Sequence, residues 1–223
     1  MKTTSSLKGL KGMKGRAIDM KQWKRRDHFL LYRKYAQPFF SVCVEIDVTR
    51  LWNASHAARG PSFFLASLYL MLKAANDTEA FRLRIRKRGV WLYDRVAVGP
   101  TIPREDGTFA FSRLEFHDRL TSFVANGERA IVESRTRKKL APAKENQDDI
   151  LYHSTLPWFR FTAFTNALPG GDDSIPRVVF GKCTRVGQAM KMPLGVEVHH
   201  GLVDGVDVAK FFARFQAELN GVK

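Results

Sequence analysis

Two adjacent histidines stand where an apolar stretch gives way to glycine and aspartate: Val196-Glu197-Val198-His199-His200-Gly201-Leu202-Val203-Asp204-Gly205. Side chains on a strand alternate between faces, so Leu194, Val196, Val198 and His200 share one side and His199 takes the other. A neutral imidazole at the end of an apolar row can accept a proton and serve as a general base. Opposite faces also keep the two rings from chelating one metal ion. Gly201 and Gly205 permit a tight loop, and Asp204 lies just before a helical pattern. Histidine is often partly buried without catalytic work, so this chemistry needs support from other parts of the chain.

The elements that would position His200 are legible from periodicity. Asp19 can cap a helix from about Met20 to Tyr35, ended by Gln37-Pro38. Phe40, Val42, Val44 and Ile46 alternate with Ser41, Cys43, Glu45 and Asp47, which predicts a half-buried strand over Phe39 to Asp47. A short helix over Val48 to Ala58 follows, broken at Arg59-Gly60-Pro61. Ser62 caps an apolar helix over Phe63 to Asn76. Strands are expected at Phe81 to Arg86 and Val90 to Tyr93, then at Ala97 to Pro103 and Phe109 to Leu114. His117 to Lys139 reads as a long polar helix with an apolar stripe. Ile150 to Thr155 and Phe161 to Thr165 read as strands, and Pro169-Gly170-Gly171-Asp172 as a turn. Arg177 to Arg185 and Pro193 to His200 could pair as a hairpin. The last helix, from about Val206 to Asn220, is expected to bury Val208, Phe211, Phe212, Phe215 and Leu219. Strands in meander order with separated helices imply an α+β domain, a two-layer α/β sandwich with helices on a mainly antiparallel mixed sheet.

The chain has 223 residues, 44% hydrophobic and 12% aromatic, which suits one domain with a sizeable core. Residues 1–15 hold four lysines with Gly, Ser and Thr and are expected to be a mobile basic tail before a single domain over 16–223. No stretch is apolar enough to span a membrane or to act as a secretory signal, so a cytoplasmic address and no membrane partner are expected. Cys43 and Cys183 sit in apolar surroundings and read as small buried thiols rather than a disulfide. Neither Cys-x-x-Cys nor His-x-x-x-His spacing occurs, so no metal is expected. The net charge of +15 concentrates at the N-terminus, at Arg82, Arg84, Arg86, Lys87 and Arg88, and at Arg135, Arg137, Lys138 and Lys139. Such charge attracts polyanions. Without an aromatic RNA-binding motif, zinc finger or glycine-rich clamp it reads as a solvated face, with attraction of an anionic cofactor as a secondary role. Nucleic acid is not an expected partner.

His-His-x-x-x-Asp-Gly followed by an amphipathic helix resembles the signature of coenzyme A-dependent acyltransferases of the chloramphenicol acetyltransferase family. Condensation domains of peptide synthetases share it, with two such folds in one chain. Three further segments resemble the acetyltransferases in particular. Trp23-Lys24-Arg25-Arg26-Asp27-His28-Phe29 is similar to the family's Trp-x-Arg-x-x-His-Phe opening, and Ser154-Thr155-Leu156-Pro157-Trp158 to its Ser-x-x-Pro-Trp segment. Phe81 to Arg86 with Trp91 and Asp94 completes the set. The resemblance runs in order over about residues 18–220.

The resemblance implies an acetyl-CoA-dependent O-acetyltransferase, chloramphenicol being the family acceptor and antibiotic resistance the consequence. His200 would be the base and Ser154 the donor to the tetrahedral oxyanion. Asp204 and Arg25 would form an ion pair that holds the loop. Tyr32, Phe40, Phe109 and Phe164 would line the acceptor pocket, and Lys182 would approach the coenzyme arm. It also implies a homotrimer with active sites between subunits and acetyl-CoA as a co-substrate. Two positions depart from the pattern: Val179 replaces a threonine of the acceptor wall, and Cys183 an aromatic residue beside the coenzyme. They leave room for a different small alcohol or amine, and a basic nucleic-acid-binding protein of the same fold is the non-enzymatic alternative.

Overall fold

Alternation of apolar and polar side chains builds the central sheet of the computed structural model, which describes residues 14–141 and 148–222. In chain order the elements are β1 (Gly15–Ala17), α1 (Arg26–Tyr32), β2 (Phe39–Asp47), α2 (Thr49–His56), α3 (Phe63–Asn76), β3 (Leu83–Arg86), β4 (Gly89–Tyr93), β5 (Ala97–Pro103), β6 (Phe109–Phe111), α4 (Leu120–Thr136), β7 (Ile150–Thr155), β8 (Arg177–Phe180), β9 (Thr184–Val186), β10 (Ala189–His199) and α5 (Gly205–Asn220). The main sheet runs β2-β10-β8-β7-β5-β6, with β9 pairing onto β10; a small sheet runs β1-β4-β3. β10 is antiparallel to β2 and to β8. β7 lies parallel to both β5 and β8. The architecture is the α+β sandwich expected, with a mixed sheet.

One face of the main sheet carries the core. Val178, Phe180, Leu194, Val196 and Val198 pack with buried residues of α3 and α5. Phe81, Phe211, Phe215 and Phe180 stack in sequence there. Each fully buried side chain of this size contributes about 1.5–3 kcal/mol relative to exposure. The cap on α3 is as expected: Ser62 Oγ accepts from Leu65 N at 3.4 Å.

Among the described residues the opposite face has no helix over it. Ser41, Cys43, Gly195, Val179 and Ser154 lie there, and the segment 156–168 crosses above them. Arg160 donates to Glu45, and Asn166 to Glu197. Phe164 rests on Gly195, where an added Cβ would stand 2.2 Å from its ring. Phe161 to Thr165 is therefore not the strand expected: it runs across a sheet face, where no free strand edge offers a ladder of hydrogen bonds.

Other boundaries shift for tertiary reasons. The first helix covers only Arg26–Tyr32, because residues 19–25 turn instead, with Gln22 N and Trp23 N both donating to the Asp19 carbonyl. The turn sets Trp23 against Phe29, their ring centroids 6.0 Å apart. The strand expected from Arg177 to Arg185 breaks into β8 and β9, and β9 makes the tight hairpin with β10 through Gly187 at φ +59°. The basic tail falls mostly on residues 1–13, outside the described residues; Gly15 already pairs with Tyr93. The cluster at Arg82 to Arg86 is not a solvated face. Arg84 is fully buried, and its guanidinium donates to the carbonyls of Phe81, Leu83, Asp148 and Ile150. Burial pushes it down to about 10, with Asp148 opposing, so it keeps its charge at neutral pH. Together with the Arg86–Asp148 pair, it ties the small sheet to the start of β7, the strand that carries Ser154.

Candidate active site

β10 ends at His199, and the chain turns at once into α5. Leu202 N and Val203 N both donate to the His199 carbonyl, and His200 N donates to the Pro38 carbonyl at 2.8 Å. Gly201 is required in this turn, since an added Cβ would meet the His199 ring at 2.9 Å. Asp204 caps α5 by accepting from Val206 N at 3.0 Å and Asp207 N at 3.3 Å, and the Asp207 carboxylate accepts from Asp204 N. This capping box explains why the Asp-Gly pair starts a helix.

The two histidines separate as alternation requires. His199 is buried, edge-on to Phe39, and its Nδ1 accepts from Gly201 N at 3.0 Å. Burial pushes its imidazole down to about 4, with Asp173 opposing. His200 lies one residue beyond the strand. Its ring stacks on Tyr32, with centroids 4.2 Å apart and planes 19° apart, and meets Phe40 at 4.7 Å. Its Nδ1 lies 3.2 Å from the Val203 carbonyl. A carbonyl can only accept, so Nδ1 carries the proton in the neutral ring and Nε2 keeps a free lone pair.

Arg25 braces this turn from below. One guanidinium nitrogen donates to Asp204 Oδ2 and another to the His200 carbonyl at 3.0 Å. Burial acts to raise the Asp204 carboxyl, but the Asp207 backbone N–H and the Arg25 charge outweigh it and hold the group below the usual carboxylate range. Replacing Arg25 by Met should cost about 1–2 kcal/mol in urea unfolding, less than the 3–5 kcal/mol of a fully buried pair, because the Asp204 side chain is 36% exposed. Faster amide exchange across residues 200–205 should accompany it. An unchanged unfolding midpoint would show that the pair contributes nothing.

Ser154 lies elsewhere. It sits on β7 beside Val179, which pairs in turn with Gly195 of β10. His200 is thus two strands and five residues away, a Cα separation of about 19 Å at the usual strand spacing and rise. Ser154 opens into a cleft of about 510 Å³ whose walls include Thr101, Phe109, Phe111, Tyr152 and Arg177. The four aromatic residues expected in one pocket are divided. Tyr32 and Phe40 contact His200, Phe109 lines the Ser154 cleft, and Phe164 lies over Gly195. Val179 is buried on the Ser154 face and offers no hydrogen bond.

Lys182 and Cys183 follow β8 at the end where Ser154 lies. Lys182 is exposed, and its N–H donates to the Phe159 carbonyl at 2.8 Å. Cys43 and Cys183 are free thiols and only half-buried, so they are less enclosed than expected. Burial pushes Cys183 up to about 11, so it remains a thiol at neutral pH and a poor nucleophile. Among the described residues no group of His, Cys, Asp and Glu could hold a metal ion, and no helix is long and apolar enough to cross a membrane.

Sequence reasoning missed Arg177, Asp173 and His153. Arg177 left a signal, as a lone charge beside Val178, Val179 and Phe180. His153 is fully buried against Phe180 and Phe64, and neither ring nitrogen has a partner among the described residues. Burial pushes it down to about 3. Both His153 and His199 therefore titrate lower in the folded chain than in the unfolded one, near 6.5. Their neutral burial contributes stability above pH 6.5 that is lost as the unfolded state takes up protons below it, by about 1.4 kcal/mol per pH unit per histidine. The loss should continue down to about pH 4 for His199 and about pH 3 for His153. Urea midpoints between pH 7 and 4.5 should fall less steeply in His153→Leu than in the parent chain. Identical slopes would refute this account.

A sequence profile described as "Chloramphenicol acetyltransferase" matches residues 13–216. "Chloramphenicol acetyltransferase 2" of Escherichia coli is 29% identical over 201 residues, which cover 89% of this chain and 94% of the relative. "Chloramphenicol acetyltransferase 3" of Escherichia coli is 29% identical over 205 residues, covering 91% and 96%. A solved structure described as "chloramphenicol acetyltransferase" superposes with a TM-score of 0.84 at 27% identity, over 92% of this chain and 99% of that one. The dihydrolipoamide acetyltransferase of Azotobacter vinelandii, at 15% identity and a TM-score of 0.69 over 88% and 86%, shares the fold.

Proposed function

This chain belongs to the chloramphenicol acetyltransferase family, a family of acyltransferases, and from that premise we propose that it moves the acetyl group of acetyl-CoA to a hydroxyl of chloramphenicol in a homotrimer whose active sites lie between subunits. The observation that carries the shared site is the separation of about 19 Å between Ser154 and His200 in one chain. A base and an oxyanion donor must both reach one tetrahedral centre, within about 3 Å each. Two copies facing each other resolve this, one supplying His200 and its neighbour the Ser154 cleft. Exposed aromatic residues support the same reading: Phe109 of the cleft is 47% exposed, and Trp158 and Phe159, which follow β7, are 72% and 59% exposed, and exposed large apolar side chains of this kind are a mark of interfaces.

In this reading the Val203 carbonyl fixes the His200 tautomer and leaves Nε2 to take the acceptor's hydroxyl proton. The alkoxide oxygen attacks the thioester carbonyl, and the Ser154 hydroxyl of the neighbouring copy donates to the oxyanion. Collapse breaks the carbon–sulfur bond. The leaving thiolate recovers the proton from the imidazolium, so free coenzyme A and the acetyl ester form with no acyl-enzyme. Lys182, exposed at the end of β8, would meet the coenzyme arm. Val179 beside Ser154 supports one variation, an acceptor other than chloramphenicol, because the wall there is apolar.

Release of coenzyme A thiol tests the function, with chloramphenicol, its 3-O-blocked form and unrelated alcohols as acceptors. Release with chloramphenicol and none with the blocked form is the expected result. Equal release with every alcohol would overturn the acceptor assignment. Light scattering at low micromolar protein should give a trimer, and a fully active monomer would rule out the shared site.

A further inference from the structure

Arg177 is a buried guanidinium in the wall of the Ser154 cleft. The residue is 5% exposed. Its Cζ lies 5.3 Å from the centre of the Phe39 ring and 5.5 Å from that of Tyr152. Nη2 donates to Asp173 Oδ2 at 2.6 Å, and Nη1 to the Ile175 carbonyl at 2.9 Å. Asp173 reaches it because the chain reverses at Gly170 and Gly171, at φ +78° and +66°. A buried charge needs such a partner. A guanidinium has five N–H donors, however, and two of them are engaged among the described residues.

Position points to a use for the remainder. Arg177 and Ser154 lie on the same sheet face, one strand and two residues apart, which is about 8 Å between Cα atoms. That is close to the span of an aromatic ring with a substituent, and the walls of the cleft include Tyr152 and Phe111. The charge around Arg177 narrows the substituent's chemistry. Glu197, its partner across β10, is buried and accepts from Ser41 at 3.1 Å and Asn166 at 2.9 Å. Arg113, the other arginine of the cleft, is held by Glu115 and Asp149. Both guanidiniums of the cleft wall are thus already paired with carboxylates, so neither offers an uncompensated charge to an anionic acceptor.

We propose that Arg177 is an acceptor-specificity residue, whose unengaged N–H groups bind a neutral oxygen-bearing substituent, such as nitro, sulfonyl or carbonyl, at the far end of an aromatic alcohol whose reacting hydroxyl lies where the Ser154 cleft meets the neighbouring copy's His200. The inference rests on the acetyl-transfer reading above. Its test compares chloramphenicol, which carries a nitro group, with the analogue bearing hydrogen in its place. The variant is Arg177→Met with Asp173→Asn, which removes the donors without stranding a carboxylate. The KM for chloramphenicol should rise about tenfold, the worth of one hydrogen bond to a charged group. The KM for the hydrogen analogue should change far less, and kcat with either acceptor should hold within a small factor. Equal KM changes for both acceptors, or none, would overturn the proposal and leave Arg177 as a loop clamp. If the variant does not fold, the parent chain decides: it should favour chloramphenicol over the hydrogen analogue about tenfold in KM, and parity defeats the inference. Transfer to neither acceptor by the parent chain would instead defeat the acetyl-transfer reading.

Discussion

His200→Ala should lower acetyl transfer at least about a hundredfold, since general bases typically contribute that much or more. No neighbouring group can replace the ring. His199 is buried on the other side of the strand, and its Nδ1 is engaged with Gly201 N. Tyr32 and Phe40 contact the imidazole through their rings. The fold should survive, because the turn is held by backbone bonds and by Arg25, whose Nη2 donates to the His200 carbonyl and not to its side chain. An unchanged urea midpoint, measured alongside the rate, separates lost chemistry from lost structure. A folded His200→Ala protein at near-parental turnover would sink the mechanism. His199→Ala should show the reverse pattern. It removes a buried ring and the acceptor for Gly201 N, so stability should fall more than turnover.

Ser154→Ala should lower kcat by about a hundredfold or somewhat more, near 3 kcal/mol, with little change in acceptor KM, because the hydroxyl acts where negative charge develops. A change confined to KM would leave Ser154 as a substrate-positioning group only. Its value increases when it is mixed with the His200→Ala chain. If each site takes His200 from one copy and Ser154 from the next, equal amounts of the two inactive variants, unfolded and reassembled together, should regain about a quarter of parental activity. Each interface draws an intact half from each side with a chance of about one half. A site contained in one chain predicts no recovery above the level of the separate variants. The contrast, about a quarter against about a hundredth, is large enough to read in a single thiol-release assay.

Much of this was legible because local rules determined it. Alternation from Phe39 to Asp47 gave a strand with those bounds, and Ser62 marked the start of α3. The Asp204-Gly205 pair marked the start of α5, since an Asp cap satisfies free N–H groups wherever the helix lies. The same alternation put His199 and His200 on opposite sides. Periodicity failed where long-range contacts set the backbone. Residues 19–25 turn where the pattern allowed a helix, and 161–165 cross a sheet face where the pattern allowed a strand.

The sequence by itself determined most of the element types, the α+β class and the residue types able to do acyl-transfer chemistry. Only the tertiary structure decided which of those residues meet. Ser154 and His200 look like partners in a list of motifs, yet the strand order β10-β8-β7 places two strand spacings between them. Strand order is set by which strands pair at long range, and no local propensity encodes it. The arginines show the same limit. Arg82 to Arg88 read as one basic patch, but packing buries Arg84 among four backbone carbonyls. Arg177 reads as an interruption in an apolar strand, and only the fold brings Asp173, Phe39 and Tyr152 around it. Whether a charge is solvated or paired inside depends on the groups that folding carries to it, and several of these are distant along the chain, as Asp148 and Ile150 are from Arg84.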